Sequence, residues 1–171
     1  MNYFDLFDIP VQLRVDKKSL TARFFELSRK FHPDYHAGST AEEQEEMLEK
    51  SAMLNKAYKV FGKEEDTIRY VLLLKGLMEE EEKYALPNDF LMEVMDINEG
   101  LMDLEGEDEA AKEGVIQKIT NFEKEIYEPV QPVIENYKEG TTTEKELLQV
   151  KDYYYKKKYL HRIREQLSGK Q

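Results

Sequence analysis

Residues 20–40 read LTARFFELSRKFHPDYHAGST and place a polar tripeptide, His32-Pro33-Asp34, directly after an amphipathic segment. Apolar side chains before the tripeptide recur at the spacing that lines one face of a helix: Leu20, Phe24, Leu27 and Phe31. A second stripe follows the tripeptide: Met47, Ser51, Leu54, Tyr58 and Phe61. Two such stripes joined by a loop can bury themselves only against each other. The sequence therefore predicts an antiparallel helical hairpin with the tripeptide at its tip.

The ends of the two hairpin helices can be read from single residues. Pro33 disfavours helical geometry at the preceding residue, so the first helix is expected to stop at about His32. Asp16 is the predicted N-cap of that helix, and Ser39 or Thr40 is the predicted N-cap of the second. A loop of restricted shape then presents the tripeptide outward.

The composition indicates a soluble globular protein of one domain or two small ones. Of its 171 residues 40% are hydrophobic, which is adequate for a packed core. The chain has no cysteine, which removes disulfides and thiolate metal sites and fits a reducing compartment. The longest apolar run, 71–74, is too short to span a bilayer, and residues 1–8 are neither a signal peptide nor a transit sequence. We expect a cytoplasmic, bacterial protein.

Charge is spread unevenly along the chain. The net charge of -11 argues against general nucleic-acid binding, which needs a basic surface. The first hairpin helix is nevertheless basic, through Arg14, Lys17, Lys18, Arg23, Arg29 and Lys30. The second starts with an acidic run: Glu42, Glu43, Glu45, Glu46 and Glu49. Charge alone favours two solvated faces, with the acids well placed at a helix N-terminus. The alternative is a basic strip suited to an acidic partner.

The tripeptide itself has two other interpretations. A histidine two residues from an aspartate occurs in hydrolases and metal sites, but no cysteine or serine nucleophile signature accompanies it. The remaining histidines are His36 and His161. We therefore predict no catalytic residue, no metal ligand and no cofactor. The simpler alternative is that the three residues only end one helix and start a loop.

The first 75 residues or so resemble a J-domain in the order and spacing of four features. These are the YFDLF opening at Tyr3, the basic helix, the tripeptide, and Asn55-Lys56-Ala57-Tyr58. J-domains stimulate ATP hydrolysis by heat-shock chaperones of the DnaK class and hydrolyse nothing themselves. The resemblance implies docking on such a chaperone through the tripeptide and the basic helix. The implied contacts are His32, Pro33, Asp34, Arg23, Arg29 and Lys30.

A change of composition separates this module from the rest of the chain. A further helix is predicted over about Asp66 to Leu74, and the acidic run Glu79 to Glu82 follows it. Such a run, together with Pro87, is typical of a solvated bridge. We expect domains at 1–75 and 89–171, joined by a linker at 76–88.

Helical periodicity returns after the linker and predicts a three-helix bundle in up-down-up order. The predicted core positions are Phe90, Val94, Ile97, Leu101 and Leu104, then Ala111, Val115, Ile119, Phe122 and Ile126, then Val150, Tyr153, Leu160, Ile163 and Leu167. The first helix is capped by Asn88 or Asp89. Pro129 and Pro132 are expected to kink or break the middle helix, and Thr143 with Glu146 forms a possible capping box for the last.

Two features of the bundle leave alternatives open. The first helix carries Leu91, Met95 and Met102 opposite its core stripe, with Met92 and Glu99 nearby. This second side is either buried in the bundle or exposed as a partner site edged by Asp96, Glu99 and Asp103. In the last helix Tyr155 and Tyr159 flank a lysine run. Lysine stems shielding the rings of a solvated helix are favoured there over single-stranded nucleic-acid binding.

The end of the first module and the second module both resemble one J-protein subgroup, the HscB co-chaperones of iron-sulfur cluster assembly. The residues that carry this resemblance are Tyr70-Val71-Leu72 with Leu74 and Gly76, and Asp89-Phe90-Leu91-Met92-Glu93. In that family the C-terminal domain binds the iron-sulfur scaffold protein. The scaffold contacts implied here are Leu91, Met92, Met95, Asp96, Glu99, Asp103 and Tyr159.

The expected protein is an all-α, L-shaped co-chaperone of two domains, a J-domain hairpin and a C-terminal three-helix bundle. Its expected partners are a DnaK/HscA-class chaperone and an IscU-type scaffold protein, without nucleic acid or membrane. One alternative is a general J-domain protein whose helical bundle binds a different client. A more distant alternative is a purely structural helical interaction protein.

Overall fold

The computed structural model describes residues 1–102 and 109–169, and every regular element within these ranges is a helix. This confirms the predicted all-helical fold. The chain forms two compact units, Met1–Gly76 with Tyr137–Thr142, and Leu77–Asn136 with Thr143–Gln171. The domain limits expected from sequence, 1–75 and 89–171 with a linker at 76–88, stay a prediction.

The first unit contains four α-helices and one short 3-10 helix. They are α1 Tyr3–Phe7, α2 Lys17–Lys30, the 3-10 helix Pro33–His36, α3 Ala41–Phe61 and α4 Glu64–Leu74. The predicted caps of the hairpin helices are confirmed. Asp16 accepts a hydrogen bond from the Ser19 amide at 3.0 Å, and the Thr40 hydroxyl accepts one from the Glu43 amide at 3.2 Å.

The two predicted stripes form the interface between α2 and α3, as the hairpin prediction requires. The buried members are Leu20, Leu27, Phe31, Leu54 and Phe61. Phe24 packs on Tyr58 with ring centroids 4.1 Å apart. Helix α1 adds Phe4 and Phe7, whose rings lie 4.7 and 5.5 Å from that of Phe61. A continuous apolar core therefore fixes the two helices on either side of the tripeptide.

The second unit contains α5 Asn88–Met102, α6 Glu109–Tyr127, α7 Gln131–Asn136 and α8 Glu144–Leu167. Its three long helices share one core, which consists of Phe90, Val94, Ile97, Val115, Ile119, Leu160, Ile163 and Leu167. The predicted break occurs where expected, because α6 ends before Pro129 and α7 starts just before Pro132. Thr143 and Glu146 form the predicted capping box of α8. Two details differ: Ala111 is exposed, and Asn88 and Asp89 are the first residues of α5 rather than its cap. Leu104 lies outside the described residues, so its place in the core stays a prediction.

The prediction of a solvated bridge after Gly76 is wrong for Glu82 and Tyr84, although Lys83 between them is exposed. Tyr84 stacks on Tyr155 of α8 with centroids 4.5 Å apart, and its hydroxyl donates to Asp152 Oδ1 at 2.7 Å. Glu82 Oε2 forms an ion pair with Lys151 Nζ at 2.8 Å. Glu82 and Tyr84 are alternate residues, and both side chains contact α8. The acidic composition of the segment gave no indication of these contacts. The ring of Tyr155, which was expected to be shielded by lysine stems, is half-buried and stacks on Tyr84.

Candidate partner-binding surfaces

The tripeptide lies between α2 and α3 and starts the 3-10 helix instead of an irregular loop. Pro33 is its first residue, where a fixed φ is favourable and the missing N–H costs nothing. His32 is its N-cap, and the ring Nδ1 accepts a hydrogen bond from the Asp34 amide at 3.2 Å. A neutral ring then carries its proton on Nε2, which becomes the donor available to a partner. The His32 and Asp34 side chains remain 52% and 88% exposed.

Two residues that the sequence did not single out hold this turn in place. His36 Nε2 forms a hydrogen bond with the Lys30 carbonyl oxygen at 2.8 Å. Gln44 Nε2 donates to the carbonyl oxygens of His36, Ala37 and Ser39 at 3.2 to 3.3 Å. The backbone that carries the tripeptide is thereby tied to the end of α2 and the start of α3. Gln44 lies within the acidic run of α3, and its sequence context gave no sign of this role.

The basic residues of α2 fall into two groups. Arg23 Nε donates to the Phe7 carbonyl oxygen of α1 at 3.1 Å, and Arg23 also pairs with Glu26 at 2.9 Å. Arg29 and Lys30 are exposed next to the tripeptide, and neither forms an ion pair within residues 1–102 and 109–169. The structure therefore brings Arg29 and Lys30 together with His32 and Asp34, while it uses Arg23 to attach α1.

The outer side of α5 is exposed, which decides the alternative left open by the sequence. Met92, Met95 and Met102 are 68%, 60% and 84% exposed. Leu91 is half-buried and packs against the bundle core. The three methionines therefore form an apolar face that no described residue covers.

Acidic side chains edge this methionine face. Asp96 and Glu99 are exposed, and neither has an ion-pair partner among the residues the structure describes. Asp103, the third predicted acid, lies outside the described residues. Apolar thioethers beside unpaired carboxylates suit a protein partner with both an apolar and a basic part.

Tyr159 is the predicted scaffold contact that lies on α8. Its ring stands edge-on to that of Phe90, with centroids 6.1 Å apart and an angle of 86° between the planes. Phe90 belongs to the buried stripe of α5. Tyr159 is itself half-buried against the core, so it is not a freely solvated ring.

Within the two described ranges no group of three or more His, Asp or Glu side chains is arranged to hold a metal ion. None of the helices in those ranges is long and apolar enough to cross a membrane. The turn with its neighbouring cations and the outer side of α5 are exposed surfaces that a partner protein can reach.

Comparisons of the sequence and of the structure with known proteins all find proteins described as HscB. Residues 86–168 match a family model described as the HSCB C-terminal oligomerisation domain. The chain is 38% identical over 105 residues to co-chaperone protein HscB from Buchnera aphidicola subsp. Acyrthosiphon pisum, strains Tuc7 and APS. This match covers 61% of the chain and 60% of the relatives' own length.

Two solved structures are similar over nearly the whole chain. Chaperone HscB from Vibrio cholerae has a TM-score of 0.70 and 25% identity, with 98% of this chain and 96% of that one covered. Human co-chaperone protein HscB has a TM-score of 0.75 and 28% identity, with 98% and 81% covered. The likeness thus extends over both compact units.

Proposed function

Because the chain belongs to the HscB family of co-chaperones, we propose that it stimulates ATP hydrolysis by a DnaK/HscA-class chaperone and presents an IscU-type iron-sulfur scaffold protein to it. The observation that carries the proposal is the exposure of His32 and Asp34 on a turn fixed between α2 and α3. We also propose that the protein acts in the cytoplasm and that residues 1–75 and 89–171 are its two functional domains.

The turn has the chemistry needed to engage an ATPase chaperone. Asp34 offers a largely exposed carboxylate to an arginine of the partner, and hydrogen bonds between two charged groups are stronger than neutral ones. His32 offers Nε2 as a donor. Arg29 and Lys30 add positive charge next to both, which accelerates encounter with an acidic surface. The turn is preorganised, so little conformational entropy is lost when it docks.

The outer side of α5 has the chemistry needed to hold the scaffold. Met92 and Met95 provide an adaptable apolar surface, and Asp96 and Glu99 provide charge for specificity. A chain that holds both partners raises the effective concentration of the scaffold at the chaperone without any new contact. Delivery and ATP hydrolysis are then coupled through one molecule.

The proposed stimulation of the chaperone ATPase is tested by replacing His32 with Gln. The exchange removes the ring nitrogens while keeping a polar side chain of moderate size, and the side chain is half exposed, so the fold should survive. We expect stimulation of the steady-state ATPase of the organism's DnaK-class chaperones to be abolished. His161→Gln is the matched control, because His161 is a second exposed histidine beside a carboxylate, with Nε2 3.2 Å from Glu165 Oε1. Normal stimulation by the His32 variant would contradict the docking proposal.

The proposed binding of the scaffold protein is tested in the same assay by adding that protein. We expect it to increase stimulation further, and we expect a Met92→Ala, Met95→Ala double variant to lose that increment. Both side chains are exposed, so the core is untouched; adding Leu91→Ala, which is half-buried, extends the test. Leu48→Ala removes an exposed leucine from α3 and serves as control. If the scaffold does not increase ATPase stimulation, the J-domain role stands but the iron-sulfur role is contradicted. The chain would then be a J-protein that binds a different client.

A further inference from the structure

The second unit contains an open groove that the proposed function does not use. It has a volume of about 850 Å³ and lies between the segment before α5, the start of α5, the end of α6 and the first half of α8. Its floor is apolar, formed by the buried Phe90, Val130 and Tyr153 and the half-buried Phe122 and Ile126. The Phe90 and Phe122 rings are in contact, with centroids 5.2 Å apart.

One wall of the groove is polar, and its polar groups already bond to one another. Asp152 Oδ1 accepts the Tyr84 hydroxyl at 2.7 Å, and Asp152 Oδ2 pairs with Lys156 Nζ at 2.6 Å. Lys156 Nζ also lies 5.8 Å from the centroid of the Phe90 ring. Both carboxylate oxygens and the ammonium are occupied within the protein. This wall therefore shapes the groove and contributes no free charge to a ligand.

The rim carries carboxylates that form no ion pair with the residues described. Asp89 and Glu93 of α5 and Glu125 of α6 are exposed and form no ion pair within the described ranges. Four acids and two lysines line the groove, so its formal charge is -2. A positively charged ligand complements this rim. Leu148, on the α8 side, is 45% exposed and would be covered by the apolar part of such a ligand.

The spacing along α5 indicates the form of the ligand. Asp89 and Glu93 are four residues apart, which is about 6 Å along a helix axis. Alternate residues of an extended peptide are about 6.6 Å apart and point to the same side. An extended segment can therefore place alternate basic residues against these two carboxylates. Its intervening side chains then point the other way, onto the apolar floor.

The groove is distinct from the methionine face of α5. Glu93 and Met95 are two residues apart, which is about 200° around the helix. Neither Met92 nor Met95 lines the groove, and a ligand there would leave Met95 free for another partner.

We propose that this groove binds a short extended segment of a partner protein in which basic and apolar residues alternate. Its volume lies in the range of sites that enclose a ligand of a few residues. The apolar side chains fill the floor over Phe90 and Phe122, and the basic ones pair with Asp89, Glu93 and Glu125.

The probe is a fluorescein-labelled pentapeptide of alternating lysine and leucine, KLKLK, titrated with the full chain and followed by fluorescence anisotropy. We expect saturable binding. The peptide with glutamate in place of lysine should not bind, and the peptide with serine in place of leucine should bind at least tenfold more weakly. Equal binding of the serine peptide would overturn the proposal, because general attraction to an acidic chain would then explain the affinity.

Variants of the full chain locate the site. Glu93→Lys, Glu125→Lys and Leu148→Ser each change an exposed side chain and should each weaken binding about fivefold. Glu113→Lys changes the net charge by the same amount on α6 outside the groove, and should change affinity less than twofold. Equal losses in Glu113→Lys and Glu125→Lys would overturn the proposal.

Backbone amide NMR shifts provide an independent readout. Addition of the peptide should move the amides of Glu93, Leu148 and Gln149, while shifts confined to Met92 and Met95 would overturn the proposal. A dimer of the chain that Glu125→Lys dissociates, without peptide binding, would show that the occupant is a second copy and would likewise overturn it. None of these readouts involves chaperone ATPase, so this proposal and the proposed function succeed or fail separately.

Discussion

Replacement of Glu123 by Gln should destabilise the second unit through the contact between α6 and α8. The Glu123 carboxylate forms an ion pair with Lys157 Nζ at 2.5 Å and a second one with Arg164. Its side chain is only 16% exposed, whereas those of Lys157 and Arg164 are 26% and 38% exposed. Gln keeps the size of the side chain and one acceptor oxygen but removes the charge that both cations use.

The expected loss is about 1–2 kcal/mol in the free energy of unfolding. A hydrogen bond to a charged group contributes about 1.5–3 kcal/mol, and two are weakened here. The two cations are exposed enough to turn towards water, which recovers part of that loss. The full cost of a fully buried unpaired charge therefore does not arise.

The pH dependence of the stability difference between wild type and variant is a second, independent test. Burial raises the pKa of Glu123, but the hydrogen bonds and charges of Lys157 and Arg164 outweigh it and hold the pKa below its ordinary value of 4.5. A carboxylate with a lowered folded-state pKa stabilises the protein above its unfolded pKa, and this contribution is lost as pH falls through the folded value. Gln does not titrate, so the difference between wild type and variant should be constant at neutral pH and shrink below about pH 4.5.

The assay is urea unfolding followed by far-UV circular dichroism, at pH 7 and in steps down to pH 3.5. Glu125→Gln is the matched control, because Glu125 lies two residues away, is exposed, and forms no ion pair with the residues described. It should change the free energy of unfolding by less than about 0.5 kcal/mol. Equal stability of the two variants at pH 7, or a difference that persists undiminished in acid, would refute the reasoning.

Two further predictions concern hydroxyl groups that form hydrogen bonds within the protein. Thr67 is fully buried, and its hydroxyl donates to the carbonyl oxygens of Val60, in the last turn of α3, and of Lys63, the N-cap of α4. Thr67→Val should therefore cost about 1–2 kcal/mol in urea unfolding, and an unchanged midpoint would contradict this. Tyr84→Phe keeps the stacking on Tyr155 but loses the hydrogen bond to Asp152, and should cost about 1 kcal/mol. Burial, reinforced by Asp152, raises the pKa of Tyr84 above its ordinary value of 10.0, so an ultraviolet titration of the variant should show one late-ionising tyrosine fewer than that of the wild type.

Features that depend on residues close together in the chain were predictable from sequence. The stripes that built the hairpin, the caps at Asp16 and Thr40, the capping box at Thr143, and the break at Pro129 are all set within one or two helical turns. Side-chain spacing and backbone sterics decide them locally, whatever the rest of the chain does. The position of the tripeptide at the hairpin tip follows from the same local rules.

Features that depend on which helices meet were decided only by the tertiary structure. Glu82 and Tyr84 looked like part of a solvated bridge because their partners, Lys151 and Asp152, lie about 70 residues further on. Helical periodicity found a second apolar side on α5, but the arrangement of the other helices determined that Met95 stays exposed there. The groove likewise required α5, α6 and α8 to converge. Periodicity gives the direction in which a side chain points, whereas burial and pairing depend on what the fold places in that direction.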